Sequence, residues 1–469
     1  MATVSKNIFW STLTSVLQLY TGSAVFIILA KLMSVPEFGI LSFGFSLSAI
    51  AVIVADFGFS LMIMKDYPRQ GNHGTYLSSS IVAKILLAIG AALFFLIYLL
   101  LFYEGQWLTV GLLYVVFALV ASFTIYLQAL LRVQNKFDKY AESGLVYAIA
   151  VTLVVIVYWQ FQLSLVQLVV LLLGCKIVQL IWTLVRCKAS FPNFSYKIKG
   201  IPKLIGDSWS FGVFGVLGIF YFMVDTQIIS VFLGAKDVAL YQSVFRIVLI
   251  LMVFSDIISN VLLPYLSFKF YNKENVTELV SKIFLYLLII GCSWFLLFTS
   301  LKAEILEILY TTEYLGATIL VVPFSIVIVL RTVSTLLGNI LTISDRQTAR
   351  VFTVGVSLAI SLALNLIFIP KYGIVAAAWT SVLVHLILFG MYWFYSKMEV
   401  PAMKIFSPSS IFVIVVTIVL YFIADRFGSS NYWIVVGCAL FWLLTLALVM
   451  RRDNNLDFLQ MVLKEKGAG

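Results

Sequence analysis

Apolar stretches, each long enough to cross a bilayer, fill this chain almost from end to end. A helix needs about 20 apolar residues to span the hydrocarbon core. The pattern predicts about fourteen such spans, at 8–31, 40–64, 77–102, 108–131, 143–159, 165–186, 208–233, 240–266, 280–300, 317–341, 351–369, 374–396, 409–424 and 432–450, of which 409–424 is the shortest and weakest. Trp10, Trp107, Trp159, Trp209, Trp393 and Trp433 fall at or near span ends, where indole rings favour the headgroup level. The predicted class is therefore an all-α polytopic membrane protein.

Composition agrees. The 469 residues are 62% hydrophobic and 11% charged, whereas soluble domains run near half apolar and a quarter charged. The net charge of +10 does not point to nucleic acid, because its distribution follows membrane topology. One alternating set of loops holds 22 of the 31 Lys and Arg residues and the opposite set holds 5, with four inside spans. Positive residues accumulate on the cytoplasmic side, so both termini are expected in the cytoplasm, and an even number of spans is needed. Lys6 followed by about 24 apolar residues reads as a retained first helix and not as a signal peptide.

The longest loop, near 187–207, is basic and divides the chain after the sixth span; the longest outside loop, near 301–316, is too short to fold alone. At an offset of 200, Glu37 aligns with Asp237, Gly39 with Ala239, Ile40 with Leu240 and Asp56 with Asp256. The expected organisation is an N-terminal lobe at 1–187, a basic linker at 188–207, a C-terminal lobe at 208–396, and a final helix pair and tail at 397–469. Two six-helix lobes in a pseudo-twofold arrangement suit alternating access around a cavity between them.

Chemistry in such a chain has to reside within its helices. Four cations lie inside spans: Lys84, Lys176, Arg246 and Arg331. A Lys or Arg at a helix centre costs about 2.5–3.5 kcal/mol on insertion scales, so it persists where it faces water, an acid or a ligand. Lys176 and Arg331 are near mid-span; Lys84 and Arg246 sit closer to an end, where long stems snorkel. Asp56, Asp225 and Asp256 are either their ion-pair partners or sites of ion coupling, and His385 is either a packing residue or a coupling group. Four cations against three acids leave one positive charge over, which suits a phosphate or carboxylate ligand. Tyr221, Gln227, Gln242, Asn260 and Asn339 are candidate sugar contacts by position. Gly212, Gly215 and Gly218 read as close packing or as a flexible seventh span. Neither the two histidines (His73 and His385) nor Cys175, Cys187, Cys292 and Cys438 have metal-ligand spacing, so no metal and no cofactor is expected. No Walker motif or catalytic grouping marks the chain as an enzyme.

Four stretches resemble the polysaccharide exporters, notably O-antigen flippases, of the multidrug/oligosaccharidyl-lipid/polysaccharide (MOP) superfamily. They are Lys31–Gly39 (KLMSVPEFG) with Asp56-Phe57-Gly58, Leu131–Asp138 (LRVQNKFD), Asp225–Gly234 (DTQIISVFLG) continuing to Tyr241, and Ala363–Ala378 (ALNLIFIPKYGIVAAA). Ala239 stands where that family usually has Gly. The resemblance implies fourteen helices in two lobes, a bacterial inner-membrane location, and translocation of an undecaprenyl-pyrophosphate-linked oligosaccharide between leaflets. It also implies membrane lipids and the lipid-linked glycan as partners, with polymerase and chain-length regulator proteins nearby, and a chain that is itself monomeric. A cation-coupled drug or metabolite exporter of a related fold is the alternative; it would lean on acids in its cavity. A membrane glycosyltransferase or polymerase would need a sizeable outside loop.

Overall fold

The structure is a computed structural model, and it describes residues 2–69, 73–187, 200–272, 274–427 and 432–452. Among the described residues there is no strand. The helices are α1 (Ala2–Leu19), α2 (Val25–Leu32), α3 (Val35–Asp56), α4 (Phe59–Asp66), α5 (His73–Phe102), α6 (Gly105–Val133), α7 (Phe137–Phe161), α8 (Leu165–Cys187), α9 (Ile201–Phe232), α10 (Ala235–Tyr271), α11 (Thr277–Ser300), α12 (Lys302–Leu309), α13 (Val321–Ile343), α14 (Gln347–Glu399), α15 (Pro408–Phe427) and α16 (Tyr432–Arg452). A π-helical turn, Tyr20–Ala24, joins α1 to α2, and a 3-10 stretch, Thr312–Leu320, leads into α13.

Twelve helical stretches among the described residues are long and apolar enough to cross a membrane. One of these is α14, whose 53 residues would extend about 80 Å if straight, more than twice the hydrocarbon thickness. It is broken at Gly373 (φ 66°, ψ −156°), three residues after Pro370. Proline removes a helical N–H and glycine alone adopts that backbone without strain. The break falls in the turn expected between 369 and 374.

The second span differs from its expectation. Instead of one helix over 40–64, α3 stops at Asp56, Phe57 and Gly58 are left-handed (φ 41° and 79°), and α4 restarts at Phe59. At its other end, Ser34 caps α3 and Glu37 Oε2 accepts from Ser34 N at 3.1 Å, a reciprocal capping box. The repeat partner α10 likewise carries an acid, Asp237, in its first turn. The second half of the register match diverges, since Asp56 ends its helix while Asp256 lies inside one.

The chain forms two compact units. One comprises Met1–Ser243, Leu309–Tyr314 and Leu362–Ala377; the other Val244–Ile308, Leu315–Ser361 and Ala378–Gly469. In the first, α3 packs on α5, α6 and α9, and α8 on α6 and α7. Glycines permit the close approaches. A Cβ at Gly39 would collide with the backbone oxygen of Ala235, and one at Gly212 would stand 2.8 Å from Phe57 O. In the second unit α11 packs on α13 and α15, and Trp442 Nε1 of α16 donates to Ser293 Oγ of α11 (3.0 Å). Large apolar side chains such as Leu101, Trp159, Phe161 and Phe422 point outward, as a lipid-facing surface requires.

Polar contacts near the helix ends respect the alternation of loops. Arg186 reaches Glu142 (3.2 Å), Gln134 reaches Tyr67, and Arg346 pairs with Glu399 (2.8 Å); each joins loops of the Lys/Arg-rich set. Lys302–Asp425 (2.9 Å) and Tyr103–Ser230 (2.7 Å) join loops of the other set.

Candidate functional site

Lys176 stands halfway along α8 and projects into a cavity of about 230 Å3 inside the first unit. The walls come from α1 and the π turn (Thr14, Gln18, Thr21, Gly22), from α3 (Phe45), from α6 (Phe117, Thr124, Gln128), from α7 (Gly144, Tyr147) and from α8 itself. None of these lining side chains is acidic. Lys176 Nζ donates to Gln179 Oε1 (2.8 Å) and sits 3.6 Å from the Tyr147 ring centroid and 5.2 Å from that of Phe117. Aromatic faces attract a cation through their quadrupole, which offsets part of its desolvation. Gln179 cannot turn away, because its Nε2 donates to the backbone oxygen of Ser143 (3.1 Å). Ser143 Oγ is bonded in turn to Thr183 and Gln128.

Sequence reasoning singled out Lys176 and missed this setting. A signal for it was present: Thr14 and Gln18 on α1 with Thr21 in the π turn that follows, Thr124 and Gln128 on α6, and Lys176, Gln179 and Thr183 on α8 recur at three- and four-residue spacing. Each set forms a polar stripe on one face of an apolar helix.

Lys84 is not a snorkelling residue. It is fully buried, and its Nζ donates to Asp56 Oδ1 and to Ser122 Oγ, both at 2.7 Å. The rings of Phe123 and Tyr126 lie 5.4 and 5.6 Å away. Asp56 also accepts from Ser60 Oγ (2.7 Å) and Ser60 N (3.2 Å). The left-handed step at Phe57-Gly58 is what brings Ser60 back over the carboxylate. Of the two readings of Asp56, the ion pair is the one its contacts form.

Asp225 on α9 accepts from Tyr241 Oη (2.9 Å) and Asn365 Nδ2 (2.7 Å), drawing α9, α10 and α14 into one buried polar cluster. Two proposed sugar contacts are held by protein groups. Gln227 Nε2 donates to Ser46 Oγ (2.6 Å), and Gln242 Nε2 to Thr226 Oγ1 (2.5 Å). Tyr221 is buried on α9. Arg246 is buried in the second unit. Arg331 on α13 is partly exposed, and His385 on α14 is buried with its Nδ1 2.8 Å from Ser381 O. Asn339 is partly buried on α13. The side chains of Asp256 and Asn260 lie outside those described. Gly212 and Gly215 pack on Phe57 and Ile53, while a Cβ at Gly218 would meet nothing within 4 Å, so close packing accounts for two of the three glycines.

The first unit also holds an apolar cavity of about 290 Å3 between α3, α5, α9 and α14, and the second unit one of about 450 Å3 between α11, α13, α14 and α15. The Lys176 cavity differs from both in carrying a charge.

Known proteins resemble this chain in sequence and in fold. A probable low-salt glycan biosynthesis flippase of Haloferax volcanii is 25% identical over 361 residues, which is 74% of either chain. An uncharacterized membrane protein of Methanocaldococcus jannaschii is 28% identical over 237 residues, 48% of this chain and 46% of that one. Among solved structures, the lipid II flippase MurJ in an inward closed conformation superposes with a TM-score of 0.74 at 14% identity, covering 97% of this chain and 100% of that one. An inward-facing multidrug resistance transporter of the MATE family, in the MOP superfamily, gives 0.64 at 12% identity, with 86% and 99% covered. At these identities the structural likeness is one of fold. Residues 4–269 match the family model described as polysaccharide biosynthesis protein, and with more than half of its length inside that model, the chain belongs to the polysaccharide biosynthesis protein family.

Proposed function

We propose that this protein is a flippase that carries a lipid-linked glycan from the cytoplasmic to the outer leaflet, and that it acts as a transporter and not as an enzyme. The observation that carries the reading is Lys176: a cation halfway through a membrane helix, facing a cavity that has several polar side chains and no acidic one in its lining. Moving an anionic headgroup through hydrocarbon requires replacing its hydration, and fixed cations do so. At an effective dielectric of 20 a contact pair is worth about 4 kcal/mol before desolvation. Arg331 and Arg246 are further contributors on this reading. The family membership supports it, as does the name of the Haloferax relative. An exporter of organic cations would be served by acids where this cavity has a lysine.

Finer features belong to the same proposal. The two parts of α14 on either side of Gly373, together with α16, support fourteen crossings with both termini in the cytoplasm, arranged as two lobes that alternate in access. The cargo is a polyprenyl-pyrophosphate-linked repeat unit of a surface polysaccharide, delivered to polymerising and length-setting proteins. Resemblance to O-antigen flippases favours an undecaprenyl carrier and a bacterial inner membrane; both sequence relatives above are archaeal, and an archaeal cytoplasmic membrane serves the reading equally.

Deleting the gene should leave lipid-linked glycan accumulating on the cytoplasmic leaflet and strip the surface of the finished polymer. Complementation with Lys176→Met or Arg331→Ala should fail while the protein still inserts. Arg331→Lys should restore only part of the activity, since a point charge lacks the planar fork of guanidinium. Normal surface polymer in both neutral variants would overturn the proposal.

A further inference from the structure

The Lys176 cavity has a donor–acceptor pattern more specific than its charge. Thr14 Oγ1 donates to Trp10 O (2.9 Å), Thr21 Oγ1 to Leu17 O (3.0 Å) and Thr124 Oγ1 to Val120 O (2.8 Å). A hydroxyl has one proton and two lone pairs. With that proton given to the preceding helical turn, each of the three threonines offers an incoming ligand only an acceptor. Gln179 adds a fixed carbonyl oxygen, held toward Lys176 by Ser143. The cavity thus combines one cation with several acceptors and the amide of Gln18, while Leu17, Ala121, Ile125 and the rings of Phe117 and Tyr147 supply apolar surface.

A bare halide or acetate would meet Lys176 but leave the threonine oxygens of the lining without a donor. A neutral sugar would leave the charge unanswered, and an organic cation would be repelled by it. A ligand with one negative group and several hydroxyl donors matches all of these features. The volume, about 230 Å3, is below the ~300–1,000 Å3 of pockets that hold drug-sized ligands, and suits one sugar ring better than an oligosaccharide.

We infer that the Lys176 cavity is a specificity pocket for a single sugar unit bearing one anionic group. That group is either the carboxylate of an acidic sugar in the glycan or the phosphate attached to the first sugar at the lipid linkage. The inference rests on the flippase reading for its biological meaning, but binding is measurable without transport.

The full-length protein in detergent should show a concentration-dependent rise in its unfolding midpoint with glucuronate or with glucose 1-phosphate, and none with glucose, acetate or chloride at matched ionic strength. A response to glucuronate alone identifies the acidic sugar as the source, and one to glucose 1-phosphate alone identifies the linkage phosphate. A response to both assigns recognition to charge plus hydroxyls from either source. Lys176→Gln should weaken apparent affinity by about 10–100-fold, the worth of a hydrogen bond to a charged group, and Thr124→Val by about 2–10-fold for one neutral acceptor. Gly22→Leu, whose side chain grows from a position with nothing within 4 Å of its Cβ, should abolish the response by filling the cavity, and it serves in place of Lys176→Gln should that variant not fold. The inference is overturned if neither sugar acid shifts the wild type, if acetate or chloride shifts it equally, or if the variants respond as wild type does. Loss of surface polymer on deletion without any shift sinks the pocket alone; a shift without such loss sinks the flippase reading and leaves the pocket.

Discussion

At the scale of single residues, the two intramembrane lysines of the first unit solve the same problem differently. Lys84 has a carboxylate, a hydroxyl and two rings around it; Lys176 has a carbonyl oxygen, two rings and open space. Removing one member of a buried pair leaves an uncompensated charge, at a cost of about 3–5 kcal/mol. Lys84→Met should therefore lower the stability of the detergent-solubilised protein by that order, and adding Asp56→Asn should recover part of the loss. Asparagine still accepts from Ser60 while shedding the stranded charge. Equal stability of Lys84→Met and wild type in denaturant titrations would refute the pairing. From sequence, Lys84 looked close enough to a helix end to snorkel. It is buried because α5 begins at His73, earlier than expected, and α6 lies against it with Ser122, Phe123 and Tyr126.

At the scale of elements, glycine positions separate tight crossings from loose ones. A Cβ at Gly39 would run into the backbone of Ala235, where α10 begins, and backbone cannot yield as a side chain can. Gly39→Ala should destabilise the first unit by several kcal/mol, within or above the about 1–3 kcal/mol typical of overpacking. Gly218→Ala faces open space and should be neutral or stabilising by up to about 1 kcal/mol, because alanine is the better helix former. Thermal unfolding of the two variants side by side tests both expectations, and similar midpoints would mean that the α3–α10 approach is looser than described. Gly373→Ala should cost about 1–3 kcal/mol for its backbone alone, with the loss confined to the break in α14.

At the scale of the whole molecule, the alternation of loops yields a topological prediction. Glu104, between α5 and α6, and Gln347, at the start of α14, fall in opposite loop sets and are both exposed. In a background lacking the native cysteines, Glu104→Cys should react with a membrane-impermeant thiol reagent added to intact cells, and Gln347→Cys should react only after permeabilisation. The reverse pattern would invert the orientation drawn from Lys and Arg counts. Ion pairs that join loops of one set, such as Arg346–Glu399 and Lys302–Asp425, agree with the alternation; the assignment of sides comes from the charge bias alone.

The sequence by itself determined the solvent, the helical class, most span positions, the break near Pro370 and the presence of costly cations inside spans. These follow from local rules: run length, backbone chemistry and the cost of charge in hydrocarbon act on each segment whatever its neighbours are. Tertiary structure decided which cation is neutralised and which faces a cavity. That Lys84 meets Asp56 depends on the left-handed step at Phe57-Gly58 and on α6 closing over it, and that Lys176 meets a cavity with polar groups depends on α1 with its π turn, α6 and α8 presenting their threonine and glutamine stripes to one volume. An ion pair or a cavity is a property of several helices at once, so residues 28 apart, like Asp56 and Lys84, become partners only through packing, and no span read alone reveals it.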